Sequence, residues 1–230
     1  MTQLVVGTKV QHMFGTIAGR YDRANTVLSF GIHHWWRRRF FKLLPRDASL
    51  RVLDLCTGTG DLLPELSRRY AQVMGIDFSF PMLTAGKAKW ETNAKVGVIQ
   101  GDALNLPLAD NSLDLITVAF GVRNFESLQK GLREIHRVLA PGGKLWILEF
   151  GQPEGKMWGG LFRIYSNYIM PLIGGVLTGN KAAYHYLPRT SQLFPCRESF
   201  IDILAQAGFE HCSWEALTSG VAYIYGAQAR

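Results

Sequence analysis

Residues 51–70 read RVLDLCTGTGDLLPELSRRY, and their order decides the fold. RVLDLC is a short apolar run, as expected of a strand buried on both faces. It ends at Gly58 and Gly60, where a residue without a Cβ lets the backbone turn tightly and lets a ligand approach. DLLPELSRRY then takes up helical spacing, with Asp61 near the positive end of the helix dipole. Strand, glycine turn and helix together make the opening unit of an open α/β sheet.

The same rhythm continues toward the C-terminus. AQVMGID (71–77) reads as a second strand, and SFPMLTAGKAKWE (79–91) as a helix with Ser79 at its N-cap and Pro81 in its first turn. VGVIQGD (96–102), SLDLITVAF (112–120) and KLWILEF (144–150) are further strands. Between the last two, SLQKGLREIHRVL carries Leu128, Leu132, Ile135 and Leu139 on one helical face, and PGG (141–143) stops it. RESFIDILAQAGF (197–209) is a helix closed by Gly208. EHCSWEAL (210–217) and VAYIYGAQA (221–229) form a hairpin across TSG. The expectation is one α/β domain with a mostly parallel seven-stranded sheet. A helical cap occupies 1–48, the ligand-binding core 49–150, an inserted lid without strand signals 151–196, and a final helix and strand pair 197–230.

A chain of 230 residues, 47% hydrophobic and 19% charged, can bury a full core. Its net charge of +7 suits a membrane surface, nucleic acid or an acidic ligand, and is also compatible with no specific anionic partner. Cys56, Cys196 and Cys212 are scattered, and His33–His34 is a bare pair, so neither a disulfide framework nor a metal site is expected. The N-terminal residues lack a signal-peptide pattern, and no apolar run reaches the length of a membrane span. These features predict a cytoplasmic protein. WWRRRFFK (35–42) could touch a membrane peripherally, or could equally be a partly buried helix with a solvated basic face. No nucleic-acid module accompanies the basic residues, so no nucleic-acid partner is expected. Oligomeric state is left open.

In such a sheet, ligands bind beyond the carboxyl ends of the strands. Asp54, Gly58 and Gly60 follow the first strand, Asp77 ends the second, and Asp102 with Ala103 follows the third. One such acid alone reads as a helix cap, whereas acids at successive strand ends read as a binding site. An acid about 20 positions beyond the glycine turn suits ribose hydroxyls, and Asp102 with Ala103 suits a purine amino group and ring. A dinucleotide site is disfavoured, because Leu63 is too bulky for close helix approach and Asp61 would oppose a pyrophosphate. A carboxylate at 61 suits a cofactor that carries positive charge. The fourth strand runs into AFGVRNF (119–125), which projects Arg123 and Asn124 at the same sheet edge.

DLCTGTGD (54–61), GID (75–77), GDALNLP (101–107) and RVLAPGG (137–143) resemble the class I S-adenosylmethionine-dependent methyltransferases, which have a Rossmann-like fold. MFGTIAGRYDRAN (13–25), AFGVRNF, LEFGQP (148–153), YSNYIMPLIG (165–174) and YHYLPRTSQLFP (184–195) are similar to the UbiE/MenG quinone C-methyltransferases over nearly the whole chain. DLCTGTGDL most resembles the cyanobacterial branch, which methylates 2-phytyl-1,4-naphthoquinol on the way to phylloquinone. The resemblance implies S-adenosylmethionine as methyl donor. It implies contacts to that donor from Asp54, Thr57, Gly58, Thr59, Gly60 and Asp61 after the first strand, and from Asp77, Phe78 and Met82 after the second. Asp102 and Ala103 follow the third strand, Ala119 and Phe120 the fourth. This chain departs from the family at Cys56, where many methyltransferases have Gly, at Val122, where the family has Leu, and at Ala119, where a Ser is frequent. The implied acceptor is a lipid-tailed quinol, whose ring carbon attacks a sulfonium methyl once a hydroxyl has given up its proton. Arg123 at the mouth of the site would stabilise the developing phenolate, oriented by Asn124, or would instead pair with a carboxylate. Tyr21, Asp22 and Tyr184 are candidates for proton relay or substrate contact, or are structural. No residue stands out as the general base.

Overall fold

The computed structural model describes residues 13–153 and 155–230. Expectations for residues 1–12, the first part of the helical cap and the missing signal peptide, lie outside the described residues. The sheet is built from β1 (Arg51–Leu55), β2 (Gln72–Asp77), β3 (Val96–Gln100), β4 (Leu113–Ala119), β5 (Leu139–Phe150), β6 (Phe209–Leu217) and β7 (Ala222–Ala229), in the order β3-β2-β1-β4-β5-β7-β6. β1 to β5 pair in parallel, and β7 pairs antiparallel with both β5 and β6. The chain therefore reverses its winding between β1 and β4, the place where such sheets open a crevice.

The strands are apolar on both faces because helices cover both. Leu53 and Leu55 join Ile116, Leu132, Ile135 and Phe200 in one layer, while Val52 joins Leu63, Leu66, Leu115 and Ile224 in the other. The helix Leu128–Val138 supplies the first layer, and Ser127 caps it by accepting the Lys130 amide at 3.3 Å. PGG lies inside β5 rather than before it. The helix ends at Val138, and the strand starts at Leu139 and kinks through Gly142 at φ +81°.

The described part of the cap has a helical turn at 13–20, then α1 (Tyr21–Leu28) and α2 (Ile32–Leu43), while α3 (Leu63–Arg69), α4 (Phe80–Gly86) and α5 (Leu128–Val138) pack on the sheet. α2 divides the WWRRRFFK segment sharply. Trp36, Phe40 and Phe41 are buried against the second layer, each stabilising the fold by roughly 2–3 kcal/mol of apolar transfer. Of the two readings of this segment, the partly buried helix is the one the burial matches, with Trp35 its one exposed aromatic.

The lid is built from helices: α6 (Lys156–Ile164), a π-helical turn Tyr165–Ile169, α7 (Met170–Thr178) and α8 (Lys181–Leu193). Gly174 lets α7 approach α8 closely, since a Cβ there would sit 2.3 Å from the Tyr184 ring.

Candidate active site

The carboxyl ends of β1 to β4, the cap and the lid enclose a cavity of about 490 Å³. One wall is rich in acceptors. Asp54 is buried at the end of β1 and accepts the hydroxyls of Thr57 at 2.6 Å and Thr117 at 2.8 Å. Burial, aided by the nearby Asp77 charge, lifts its carboxyl to about 6 in spite of those hydroxyls. Asp77, at the end of β2, accepts the backbone N–H of Gly58 and of Ser79, each at 2.8 Å, and burial raises its carboxyl as well. Gly58 can offer that N–H because it sits at φ +59°. Cys56 and Phe120 also take φ +57°, which is why glycine is at home in the Cys56 position. Asp102 accepts the Leu104 amide at 2.9 Å and lines the cavity beside Ala103.

Two features of this wall fit a nucleoside. Ser79 stands at the N-cap position expected of it, but its hydroxyl makes no cap bond and is buried on the cavity without a hydrogen-bond partner. Each Asp77 oxygen accepts one backbone N–H and keeps further lone-pair capacity. Acceptors and a hydroxyl in reach of one another match ribose hydroxyls and an exocyclic amine, and no cationic side chain stands among them to hold a pyrophosphate.

The opposite wall is apolar, built from Ile17 and Leu28 of the cap, Trp36, and Phe162 and Met170 of the lid. Tyr21, Tyr165, Tyr184 and Tyr186 interrupt it. Tyr21 is half-buried, and desolvation raises its phenol despite the Asn25 contact. Burial pushes Tyr184 up to about 12. The Tyr186 hydroxyl donates to Asn124 Oδ1 at 3.0 Å, joining the lid to the loop after β4.

Of the expected residues, Asp54, Thr57, Gly58, Thr59, Asp61 and Asp77 line this cavity. So do Phe78, Met82, Asp102, Ala103, Ala119 and Phe120, together with Tyr21, Arg123, Asn124 and Tyr184. Gly60 and Asp22 do not. Gly60, at φ +77°, turns the chain beneath Trp90, whose ring would lie 2.9 Å from an added Cβ. Asp22 faces away from the cavity into a network instead. It accepts Thr59 Oγ1 at 2.8 Å and Lys89 Nζ at 2.6 Å. Lys89 also pairs with Asp61, and Arg37 meets Asp61 at 2.5 Å. Burial alone would raise the Asp61 carboxyl, but Arg37 and Lys89 hold it below the usual range. The expectation that Asp61 offers free negative charge to a cofactor is corrected: two cations already neutralise it.

Arg123 is also corrected. Its side chain is 2% exposed rather than open at the mouth, and its Nη1 pairs with fully buried Glu149 at 2.6 Å while donating to the Phe120 carbonyl. Its amide donates to Glu149 Oε2 at 3.2 Å, and its guanidinium lies 5.2 Å from the Phe150 ring. Of the two readings offered for Arg123, the carboxylate pair is the one the geometry contains. A signal for it was present, since an acid inside the apolar strand KLWILEF demands a partner.

His33 was passed over because no ligand cluster surrounds it. It is buried, lines the cavity and stacks 3.9 Å from His34. Its Nδ1 lies 2.6 Å from Ser29 Oγ. That hydroxyl also lies 3.5 Å from the Thr26 carbonyl. Burial first, then Arg37 and His34, lower the imidazole to about 4.

Residues 2–228 match the model of the ubiE/COQ5 methyltransferase family. The chain is 45% identical over 216 residues to the demethylmenaquinone methyltransferase of Thermus thermophilus, covering 93% of this chain and 98% of that one. It is 43% identical over 221 residues to the ubiquinone/menaquinone biosynthesis C-methyltransferase UbiE of Bdellovibrio bacteriovorus, covering 94% of each. Among solved structures, a SAM-dependent methyltransferase of Thermotoga maritima, described as a possible histamine N-methyltransferase, superposes with a TM-score of 0.71 at 18% identity. The match covers 95% of this chain and 99% of that one, a likeness of fold.

Proposed function

The chain belongs to the ubiE/COQ5 methyltransferase family, and from that premise we propose that it C-methylates the ring of a lipid-tailed quinol. S-adenosylmethionine is the methyl donor. The observation that carries the acceptor reading is the two-sided cavity, with an acceptor-rich wall at the strand ends and an apolar wall of cap and lid facing it.

The acceptor we propose is 2-phytyl-1,4-naphthoquinol, giving phylloquinol, on the strength of the DLCTGTGDL wording. Demethylmenaquinol, the same ring with another tail, is the second reading, favoured by the name of the Thermus thermophilus relative. A ubiquinone-pathway benzoquinol is a third, from the name of the Bdellovibrio bacteriovorus relative.

When bound, S-adenosylmethionine supplies an electrophilic methyl on a sulfonium centre. Asp77 and Ser79 would hold its ribose, Asp102 and Ala103 would take the adenine, and the buried Asp54 carboxylate would face the cationic end. The lid and cap keep water from the quinol, so that its oxygen is not solvated as charge develops. The quinol hydroxyl must give up its proton to push electron density onto the ring carbon, and Tyr21, His33 and Tyr184 line the cavity in which that happens. Glu149 and the Phe120 carbonyl fix Arg123, and Asn124 and Tyr186 hold the lid against the same loop. Positioning rather than covalent catalysis is the task of these groups.

The experiment is methyl transfer from labelled S-adenosylmethionine to demethyl-naphthoquinol and demethyl-benzoquinol carrying short tails, each with and without reductant. Naphthoquinol product under reducing conditions alone is the expected result. Product from benzoquinol alone would move the substrate to the third reading. No product from either, with the donor bound, would overturn the quinol assignment and leave a donor-binding partner protein.

A further inference from the structure

The lid carries apolar side chains that cover nothing. Met157, Leu161, Ile164, Tyr168, Leu172 and Val176 recur every three or four residues along α6, the π turn and α7, and all are exposed, Met157 to 82% and Val176 to 76%. They form one stripe roughly 30 Å long at helical rise. The inward side of α7 is already satisfied by Met170, Pro171, Gly174 and Gly175.

The stripe continues onto the cap. Phe30, 76% exposed between α1 and α2, lies 5.8 Å from the Tyr165 ring of the lid. Ile32 and Trp35 follow it on α2. On the α2 face that bears Trp35, Arg38 and Lys42 are exposed, whereas Arg37 and Arg39 are spent on Asp61 and Glu215. A joined apolar patch of this extent marks an interaction site. Its aromatic members and flanking cations suit a bilayer headgroup boundary.

The cavity supplies the reason for such a face. Phe30, Ile32, Trp158 and Leu161 belong both to the cavity lining and to the exposed apolar set. The cavity therefore opens through the patch. Among the described residues, no helix is long and apolar enough to cross a membrane, so a helix of this face can lie in the interface but not span it.

We propose that the outer stripe of α6 and α7, with the Phe30–Trp35 corner, docks the protein on an anionic bilayer, with Arg38 and Lys42 at the lipid phosphates. A lipid-tailed substrate then reaches the cavity without its tail leaving the membrane. This purpose rests on the quinol reading above, while the docking itself does not.

The test is co-sedimentation of the full-length protein with vesicles of phosphatidylcholine alone and of phosphatidylcholine with 30 mol% phosphatidylglycerol. We expect binding to the anionic vesicles, a loss of at least tenfold for Leu172→Asp/Val176→Asp, and loss of the anionic preference for Arg38→Glu/Lys42→Glu. None of these four residues lines the cavity, so thermal midpoint and turnover on a short-tailed soluble quinol should stay near wild type. Wild-type protein left in the supernatant with anionic vesicles, or variants that bind as well as wild type, would overturn the proposal. A wild-type dimer that Leu172→Asp/Val176→Asp makes monomeric, with no vesicle binding, would give the face to a second copy instead. Vesicle binding needs no turnover, so its failure is distinguishable from failure of the quinol assignment.

Discussion

Arg123 Nη1 and Glu149 Oε1 lie 2.6 Å apart with almost no solvent on either side chain. The pair ties the loop after β4 to the end of β5 and thereby fixes the cavity floor. Two buried charges must each be stripped of water, and the pair holds only because further hydrogen bonds complete it. Phe120 O, the Arg123 amide and the Phe150 amide supply those bonds.

Removing either charge alone leaves the other buried and unpaired. Arg123→Met and Glu149→Gln are each expected to cost about 3–5 kcal/mol in urea unfolding. The double variant Arg123→Met/Glu149→Leu should recover most of that stability, because no charge is then left unpaired. A double variant no more stable than the single ones would contradict this.

Asp77→Asn should cripple donor binding, because a side-chain amide cannot accept both the Gly58 and the Ser79 amides and still accept from ribose. The expected loss is roughly 100-fold by isothermal calorimetry, about 3 kcal/mol. Affinity within threefold of wild type would remove Asp77 from the binding wall.

Asp54 makes donor affinity depend on acidity. With its carboxyl at about 6, the group is neutral below that pH and offers nothing to a sulfonium. Affinity for S-adenosylmethionine should fall as pH drops from 7 to 5, while S-adenosylhomocysteine, which lacks the positive charge, should bind almost equally well. Asp54→Asn should flatten the difference. Parallel slopes for the two ligands would contradict this.

His33 and Asp54 contribute to stability with opposite signs. The folded pKa of His33 is lowered from 6.5 to about 4, so between those values the unfolded chain holds more protons. Its contribution is complete above 6.5 and is lost as pH falls toward 4, by up to about 3 kcal/mol. Asp54 is raised from 3.8, so its contribution is complete below 3.8 and is lost as pH rises through 6. His33→Gln should therefore reduce acid destabilisation in the 6.5–4 window, read as the pH dependence of the urea midpoint. An acid transition identical to that of the wild type would contradict this.

Lys89 holds the cap on the glycine turn through Asp22, Asp61 and Thr59. Lys89→Met should cost about 1–2 kcal/mol, the pairs being partly solvated. It should also speed hydrogen exchange in 21–43 more than in β4 or β5. Uniform acceleration everywhere would mean the network only adds global stability.

The strand–turn–helix rhythm was legible in the chain because each element announces itself locally. RVLDLC stops at glycines, SLQKGLREIHRVL keeps one apolar face, and TSG closes a hairpin. Asp54, Asp77 and Asp102 were legible for the same reason, since strand ends in a parallel sheet share one edge. Only tertiary structure decided which charges are spent. Arg37, Asp61, Asp22 and Lys89 are far apart in sequence and meet only when the cap folds onto the glycine turn. Glu149 claims Arg123 because β4 and β5 lie side by side, and α2 turns Trp36, Phe40 and Phe41 inward while leaving Trp35, Arg38 and Lys42 outside. Local sequence determines where an ionisable group stands along its element. Its partners, its burial and hence its charge are set by long-range packing, which no single segment encodes.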